Sequence, residues 1–278
     1  MVRKVIDSNF LRRPELEAYL ARSPSNMAVL TEFVLLEAQK KDAILTLERS
    51  MEILSRYTRQ VIILRPSADL TGFHGRGAGL QKRLIDGRRS VAFGSLCQDI
   101  REAAIGAEEA RRRIETSANV ARAHYRSLVD AAPTIIALFQ GNLARFSSAE
   151  LSLLRAGHPR PADVQRKFIE LLFDSAGDVV TGAGIRPRKW IDRDTINLPV
   201  VRYCLCMALL FIRWIEKGKQ TEMANERVAN DVIDANIAAY STYFDGILTS
   251  DVQLDQLAGA ARYFISQVGG YVAGHSAS

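Results

Sequence analysis

Strand-forming sequence in this chain is confined to its two ends, and that limits the fold more than any other feature. Lys4-Val5-Ile6 is a short apolar run followed at once by Asp7-Ser8-Asn9, and Gln60-Val-Ile-Ile-Leu64 is a compact β-branched run closed by Arg65-Pro66. Apolar runs bounded by breakers suit parallel strands buried on both faces. From there to about Gly218 the pattern is helical: Leu96–Val129, Thr134–Leu143, Ser148–Arg155, Ala162–Ser175 and Leu198–Lys217. Strand character returns only at Ile247-Leu248, behind an Asp245-Gly246 turn and ahead of a helix from Leu254 to Gln267. The ends must therefore meet in one sheet. The expected class is α/β with a central parallel sheet, residues 1–66 and 219–278 forming the core and 67–218 an all-α insertion.

The first core segment should also carry helices at Pro14–Ala21, Thr31–Lys41 and Ile44–Tyr57. Pro14 at a first helical position, with Glu15 and Glu17 behind it, is a good start signal. The breaker Ser23-Pro24-Ser25-Asn26 separates the first two.

Carboxylates collect where such a sheet would bind a ligand. Asp7 follows the first strand, Asp251 follows the last, and Asp234 opens a helix over Val232–Tyr243. In open α/β sheets the carboxyl ends of the strands form the binding crevice. Glu37 lies within the second helix among apolar residues, where a carboxylate is costly unless it binds something. Glu32 and Asp231 are alternatives to Glu37 and Asp234, and Asp7, Asp234 and Asp251 would also serve as helix caps. A cluster of oxygen donors without thiol or imidazole suits a hard ion, Mg²⁺ or Mn²⁺.

The net charge of +6 is unevenly spread. Between Arg56 and Arg113 twelve Arg or Lys stand against six acids, whereas between Thr221 and Leu257 seven acids stand against Arg227 alone. Basic surface neutralises phosphates and an acidic cluster holds a cation, the pairing a metal-dependent nuclease needs. Solvated helix faces would give the same pattern. The Gly72–Gly79 loop lacks the spacing of a Walker or Rossmann phosphate loop. Its neighbours Arg76, Lys82, Arg83, Arg88 and Arg89 are candidate nucleic-acid contacts, and Arg186, Arg188, Lys189 and Trp190 form a basic-aromatic cluster that could stack a base. The apolar run Val200–Ile212 is too short to span a bilayer and is interrupted by Arg202, which points to a buried helix. Cys97, Cys204 and Cys206 are odd in number and lack zinc spacing. With no signal peptide apparent, they favour a reducing cytoplasm.

Taken in order, these landmarks resemble a PIN domain, the metal-dependent ribonuclease family that includes many bacterial toxins. The matching pieces are the opening strand into Asp7-Ser8-Asn9, Phe33-Val-Leu-Leu-Glu37, Asp234-Ala-Asn-Ile-Ala-Ala239, and Leu248-Thr249-Ser250-Asp251. The resemblance covers somewhat under half of the chain. It implies a three-layer fold and a quartet of Asp7, Glu37, Asp234 and Asp251 that binds metal and carries catalysis. Asp231 would be a helper, Asn9 and Thr249 supporting polar residues. It further implies endoribonuclease activity with Mg²⁺ or Mn²⁺, an RNA substrate, and products with 5′-phosphate and 3′-hydroxyl ends. A non-cleaving PIN-like scaffold for RNA or protein and a structure-specific DNA nuclease are the alternatives. The insertion, longer than the family's usual connection, could serve substrate binding, regulation or a homodimer contact. Restraint by an inhibitory protein partner is a further expectation for a toxin-like enzyme.

Overall fold

The computed structural model describes residues 1–39, 42–70, 75–156, 161–182, 194–218 and 224–274. Its strands are β1 Val2–Ile6, β2 Asn26–Leu30, β3 Val61–Ile63 and β4 Ile247–Leu248. They form one parallel sheet in the order β3-β2-β1-β4. The helices of the first part are α1 Pro14–Ala21, α2 Glu32–Glu37, α3 Ala43–Arg56, α4 Ser67–Leu70, α5 Leu80–Leu84, α6 Gly87–Val91 and α7 Phe93–Ala104. They are followed by α8 Glu108–Leu143, α9 Ser148–Arg155, α10 Ala162–Gly182, α11 Pro199–Glu216, α12 Asn225–Ser241 and α13 Val252–Gln267.

The chain leaves β1 toward β2 and β3 on one side and returns as β4 on the other, so the order of strands reverses at β1. The crevice at that reversal lies beyond the carboxyl ends of β1 and β4, where ligands of open α/β sheets bind. β3 is fully buried, as expected for a β-branched run. β2 carries no comparable signal, because Val29 is its one β-branched residue and Pro24 lies close by. It is held by pairing on both edges, with Val5 opposite Val29 and Val29 opposite Ile62. Here tertiary pairing decides a segment whose own propensity is neutral.

Several helix limits differ from the sequence reading, each for a local reason. The expected helix Leu96–Val129 is two helices, broken at Gly106, whose φ of +98° ends α7 while the Ala107 N–H returns to the Glu102 carbonyl. The expected stop near Pro133 does not occur, and α8 runs through it to Leu143. α2 ends at Glu37 rather than near residue 41. α12 begins at Asn225, seven residues before the expected start, with no side-chain cap at Ala224 to announce it. Asp234 is therefore well inside the helix and not at its opening.

The middle segment shares its core with the sheet. Phe93, Ile114, Leu172, Leu205 and Phe211 belong to the same buried cluster as Val5, Val29 and Ile62. α12 packs against both α8 and α11. No helix among the described residues is long and apolar enough to cross a membrane, and the run at Val200–Ile212 lies within the largely buried α11.

Arg202, inside α11, is fully buried. Its guanidinium donates to the carbonyls of Ile196 (3.1 Å) and Tyr271 (2.6 Å), to Asn197 Oδ1 (2.8 Å) and to Thr242 Oγ1 (2.8 Å), and lies 3.8 Å from the Tyr243 ring centroid. It ties the middle helices to the segment that leads into β4 and to the chain's last turn. Arg202→Ala should lower stability by roughly 3 kcal/mol or more, since several buried acceptors lose their donor at once. Arg202→Lys should recover little, because an ammonium lacks the planar fork. Urea midpoints of the three proteins check this; a loss below about 1 kcal/mol for the alanine variant would show that water replaces the guanidinium.

Candidate metal and nucleic-acid site

The carboxyl ends of β1 and β4 are fastened to each other by the polar residues around Asp7. Asp7 is buried and caps the short 3-10 turn Ser8–Phe10, accepting from the Ser8 N–H at 2.7 Å through Oδ1. Its Oδ2 accepts from the Thr249 hydroxyl at 2.7 Å. Thr249 Oγ1 in turn accepts from the Asp251 N–H at 2.9 Å, and Asn9 Oδ1 accepts from the Ser250 N–H at 3.0 Å. Asn9 and Thr249 thus bridge two strand ends that are remote in sequence.

Glu37 reaches the same place from the last position of α2, its Oε2 accepting from the Ser8 hydroxyl at 2.5 Å. Ser8 therefore holds Asp7 with its backbone and Glu37 with its side chain, a role the sequence reading did not assign. Glu32 is turned elsewhere: its Oε1 takes both the N–H (2.8 Å) and the hydroxyl (2.5 Å) of Ser67 at the start of α4. Of the two glutamates, Glu37 therefore lies beside Ser8 and Glu32 beside Ser67. Asp251 caps α13, taking the N–H groups of Gln253 (2.6 Å) and Leu254 (3.1 Å) through Oδ1 alone.

Asp234 is the member with no capping duty. It is partly buried in the middle of α12, and its carboxyl is pushed up to about 8, by desolvation first and then by Asp7, Glu37, Asp231 and Asp251. The charges that act on it are all carboxylates. Asp7 is raised as well, by desolvation first and also by Glu37 and Asp251, against the lowering effect of its Thr249 and Ser8 bonds. Asp7, Glu37 and Asp251 thus reach Asp234 electrostatically from three other elements. Even so, no three acids, histidines or cysteines among the described residues stand ready to chelate one ion. The hydrogen bonds to Ser8, Thr249 and the α13 backbone hold the carboxyls in their present orientations. An ion that keeps most of its own waters needs only one or two of them directly, and this is the habit of Mg²⁺.

Asp231 and Asp234 line a small open cleft of about 50 Å³ between α11, α12 and the start of α13. Arg213, Lys217 and Arg227 line it too, whereas Arg76, Lys82, Arg83, Arg88 and Arg89 do not. Arg83 folds back on its own loop, donating to the carbonyls of Ala78 (2.6 Å) and Arg76. Gln81 of α5 bonds to Arg3 and to the Tyr243 carbonyl, at the opening ends of β1 and β4, opposite the edge from which Asp7 emerges. None of these five basic residues lines the cleft of Asp231 and Asp234, and Arg89 lines a separate pocket with Glu32 and Gln39. The signal missed was positional: Arg227, Asp231 and Asp234 are spaced by four and three and share one face of α12, as Arg213 and Lys217 share one face of α11. The Arg186–Trp190 cluster and the loop residues Gly72 to His74 lie outside the described residues.

Neither a family model, nor a curated protein, nor a solved structure matches this chain.

The raised Asp234 carboxyl has a definite consequence for stability. Unfolded, this group loses its proton near 3.8; folded, it keeps it to about 8. Between these values the folded state binds more protons, so stability should fall as pH rises across that window. In EDTA, Asp234→Asn should melt higher than the parent at pH 8 and close to it at pH 4. Parallel melting curves across the window would mean that Asp234 ionises normally.

Proposed function

We propose that the protein is a PIN-like nuclease that hydrolyses RNA with the help of Mg²⁺ or Mn²⁺. The observation that carries this reading is the gathering of Asp7, Glu37, Asp234 and Asp251 from four elements near the strand ends where the order reverses, close enough that the other three raise the Asp234 carboxyl. The strand order β3-β2-β1-β4 and the oxygen-only donors fit it as well. Asp7, Glu37, Asp234 and Asp251 would hold the ion, with Asp231 beside Asp234. When bound, such an ion lowers the pKa of a coordinated water and polarises the phosphate. Ser8, Asn9 and Thr249 keep Asp7 and Glu37 oriented, and α12 fixes Asp234 rigidly against them. RNA is preferred to DNA on the PIN resemblance alone, so matched RNA and DNA oligonucleotides are part of the test.

One observation favours a second reading, a non-cleaving scaffold: Asp7 and Asp251 already have structural work as caps, and among the described residues no three acids are set at chelating distance. The two readings differ over Glu37 and Asp234. Cleavage of a mixed RNA pool in Mn²⁺ should fall by at least about two orders of magnitude in Glu37→Gln and Asp234→Asn, the usual cost of removing a group that stabilises transition-state charge. Glu32→Ala should keep its activity and lose stability, because the Ser67 N–H and hydroxyl lose the oxygen that accepts from both. Millimolar Mn²⁺ should raise the melting temperature of the parent and not that of Asp234→Asn. No cleavage and no metal-induced stabilisation in the parent would leave the scaffold.

A further inference from the structure

The cleft beside Asp234 has a chemistry of its own, contributed by α11, α12 and the start of α13. Arg213 and Lys217 stand one turn apart on α11, and Arg227 faces them from α12. None of the three forms an ion pair among the described residues. Arg213 donates to the Gln253 carbonyl (2.8 Å) and Gln256 Oε1 (2.7 Å), and Lys217 to Gln253 Oε1 (3.1 Å). Their acceptors are neutral, so the rim keeps its positive charge while its side chains are held in place. Between these cations lies Trp214, only 7% exposed, whose indole lines the cleft and whose buried Nε1–H has no acceptor. A buried donor left unpaired costs about 1–3 kcal/mol, a cost that an entering ligand oxygen would relieve. Along α12 the wall runs from Arg227 through Asp231 to Asp234, about 10 Å at 1.5 Å per residue. Positive charge therefore leads directly into the acidic crevice.

We infer that this cleft grips the sugar-phosphate backbone of a single nucleic-acid strand, with Arg213, Lys217 and Arg227 on phosphates and the Trp214 N–H on a phosphate or ribose oxygen, and feeds it to Asp234. The inference rests on the nuclease reading for its direction and extends it by naming the path. At about 50 Å³ the cleft encloses no whole nucleotide, so the strand would lie along it with phosphates and ribose edges turned toward the cations. α11 thereby acquires a role as one wall of the substrate path.

The test compares the parent, the triple variant Arg213→Gln/Lys217→Gln/Arg227→Gln, Trp214→Phe, and Arg88→Gln/Arg89→Gln as a control away from the cleft. Each is titrated against a fluorescein-labelled single-stranded RNA at several KCl concentrations in Ca²⁺, and assayed for cleavage in Mn²⁺. The triple variant should bind about tenfold or more weakly at 0.1 M salt, and its log–log salt slope should be shallower by about 2, for three phosphate contacts on a single strand. KM should rise in proportion while kcat stays within about twofold. Trp214→Phe should bind several-fold more weakly with an unchanged or higher melting temperature, which a purely structural indole would not give. An unchanged affinity and salt slope in the triple variant, or an equal loss in the control, overturns the inference even where the parent cleaves RNA. Salt-dependent binding that needs the three cations without any cleavage upholds the cleft and rejects the nuclease. A parent that neither binds nor cleaves rejects both.

Discussion

β4 pairs with β1 across 242 positions of sequence, and β4 is only two residues long. Besides the bonds between the paired residues themselves, the contact includes the Val5 N–H on the Gly246 carbonyl, the Asp7 N–H on the Leu248 carbonyl, the Asp245 N–H on the Arg3 carbonyl and the Arg3 N–H on Asp245 Oδ2. Each such bond contributes about 1 kcal/mol net. Closing a flexible loop of this length costs about 5 kcal/mol before its constant term. The ladder alone would barely offset closure, so the connection cannot be a flexible loop. The helices between must fold and bring the ends together themselves. Arg202 and Arg262 show how: Arg202 joins α11 to Thr242 and Tyr271, while Arg262 donates to the carbonyls of Ser241, Phe244 and Ala273. Both act on the turn that launches β4, where Gly246 at φ +106° takes a conformation that side-chain-bearing residues avoid.

Once β4 is seated, the geometry of the acidic crevice follows. Thr249 directly follows β4 and Asn9 lies three residues past β1, and their bonds to Asp7 and Ser250 extend the ladder by side chains. The register that pairs Ile6 with Leu248 sets Asp7 next to Thr249 and brings Asp251 within electrostatic reach. A one-residue slip would turn each of these side chains to the other face. The crevice therefore depends on the same short pairing that the helical block secures. An activity located there would require the whole chain, and not a core from which residues 67–218 had been cut.

What could be read from the sequence was whatever had a local signature. Val61–Ile63 is recognisable because three buried β-branched residues sit between breakers, and Asp7 and Asp251 because each follows an apolar strand. β2 was illegible, since Met27 and Ala28 state no preference and its stability comes from neighbours on both sides. The start of α12 was misplaced because Asn230-Asp231 looks like a capping pair, while the true start lacks any side-chain cap. Ser8 and the basic rim of the cleft were invisible for another reason. Their importance lies in what other elements bring beside them, and only the packing of α11 against α12 and α13 places Arg213 near Asp234.

The misplacement of α12 matters for more than bookkeeping. An aspartate at a helix opening needs no further explanation, because it satisfies backbone N–H groups left over by the helix. An aspartate two turns and more into a helix has none to satisfy, and the positive end of the macrodipole does not reach it. Asp234 is in that second situation, and its neighbours make matters worse by adding negative charge. Sequences place a destabilising group in such a position where function requires it and recover the stability elsewhere. Asp7 and Asp251 carry structural duties that would preserve them without any ion. Asp234 has none, so among the four acids it speaks most directly for a cation in this crevice.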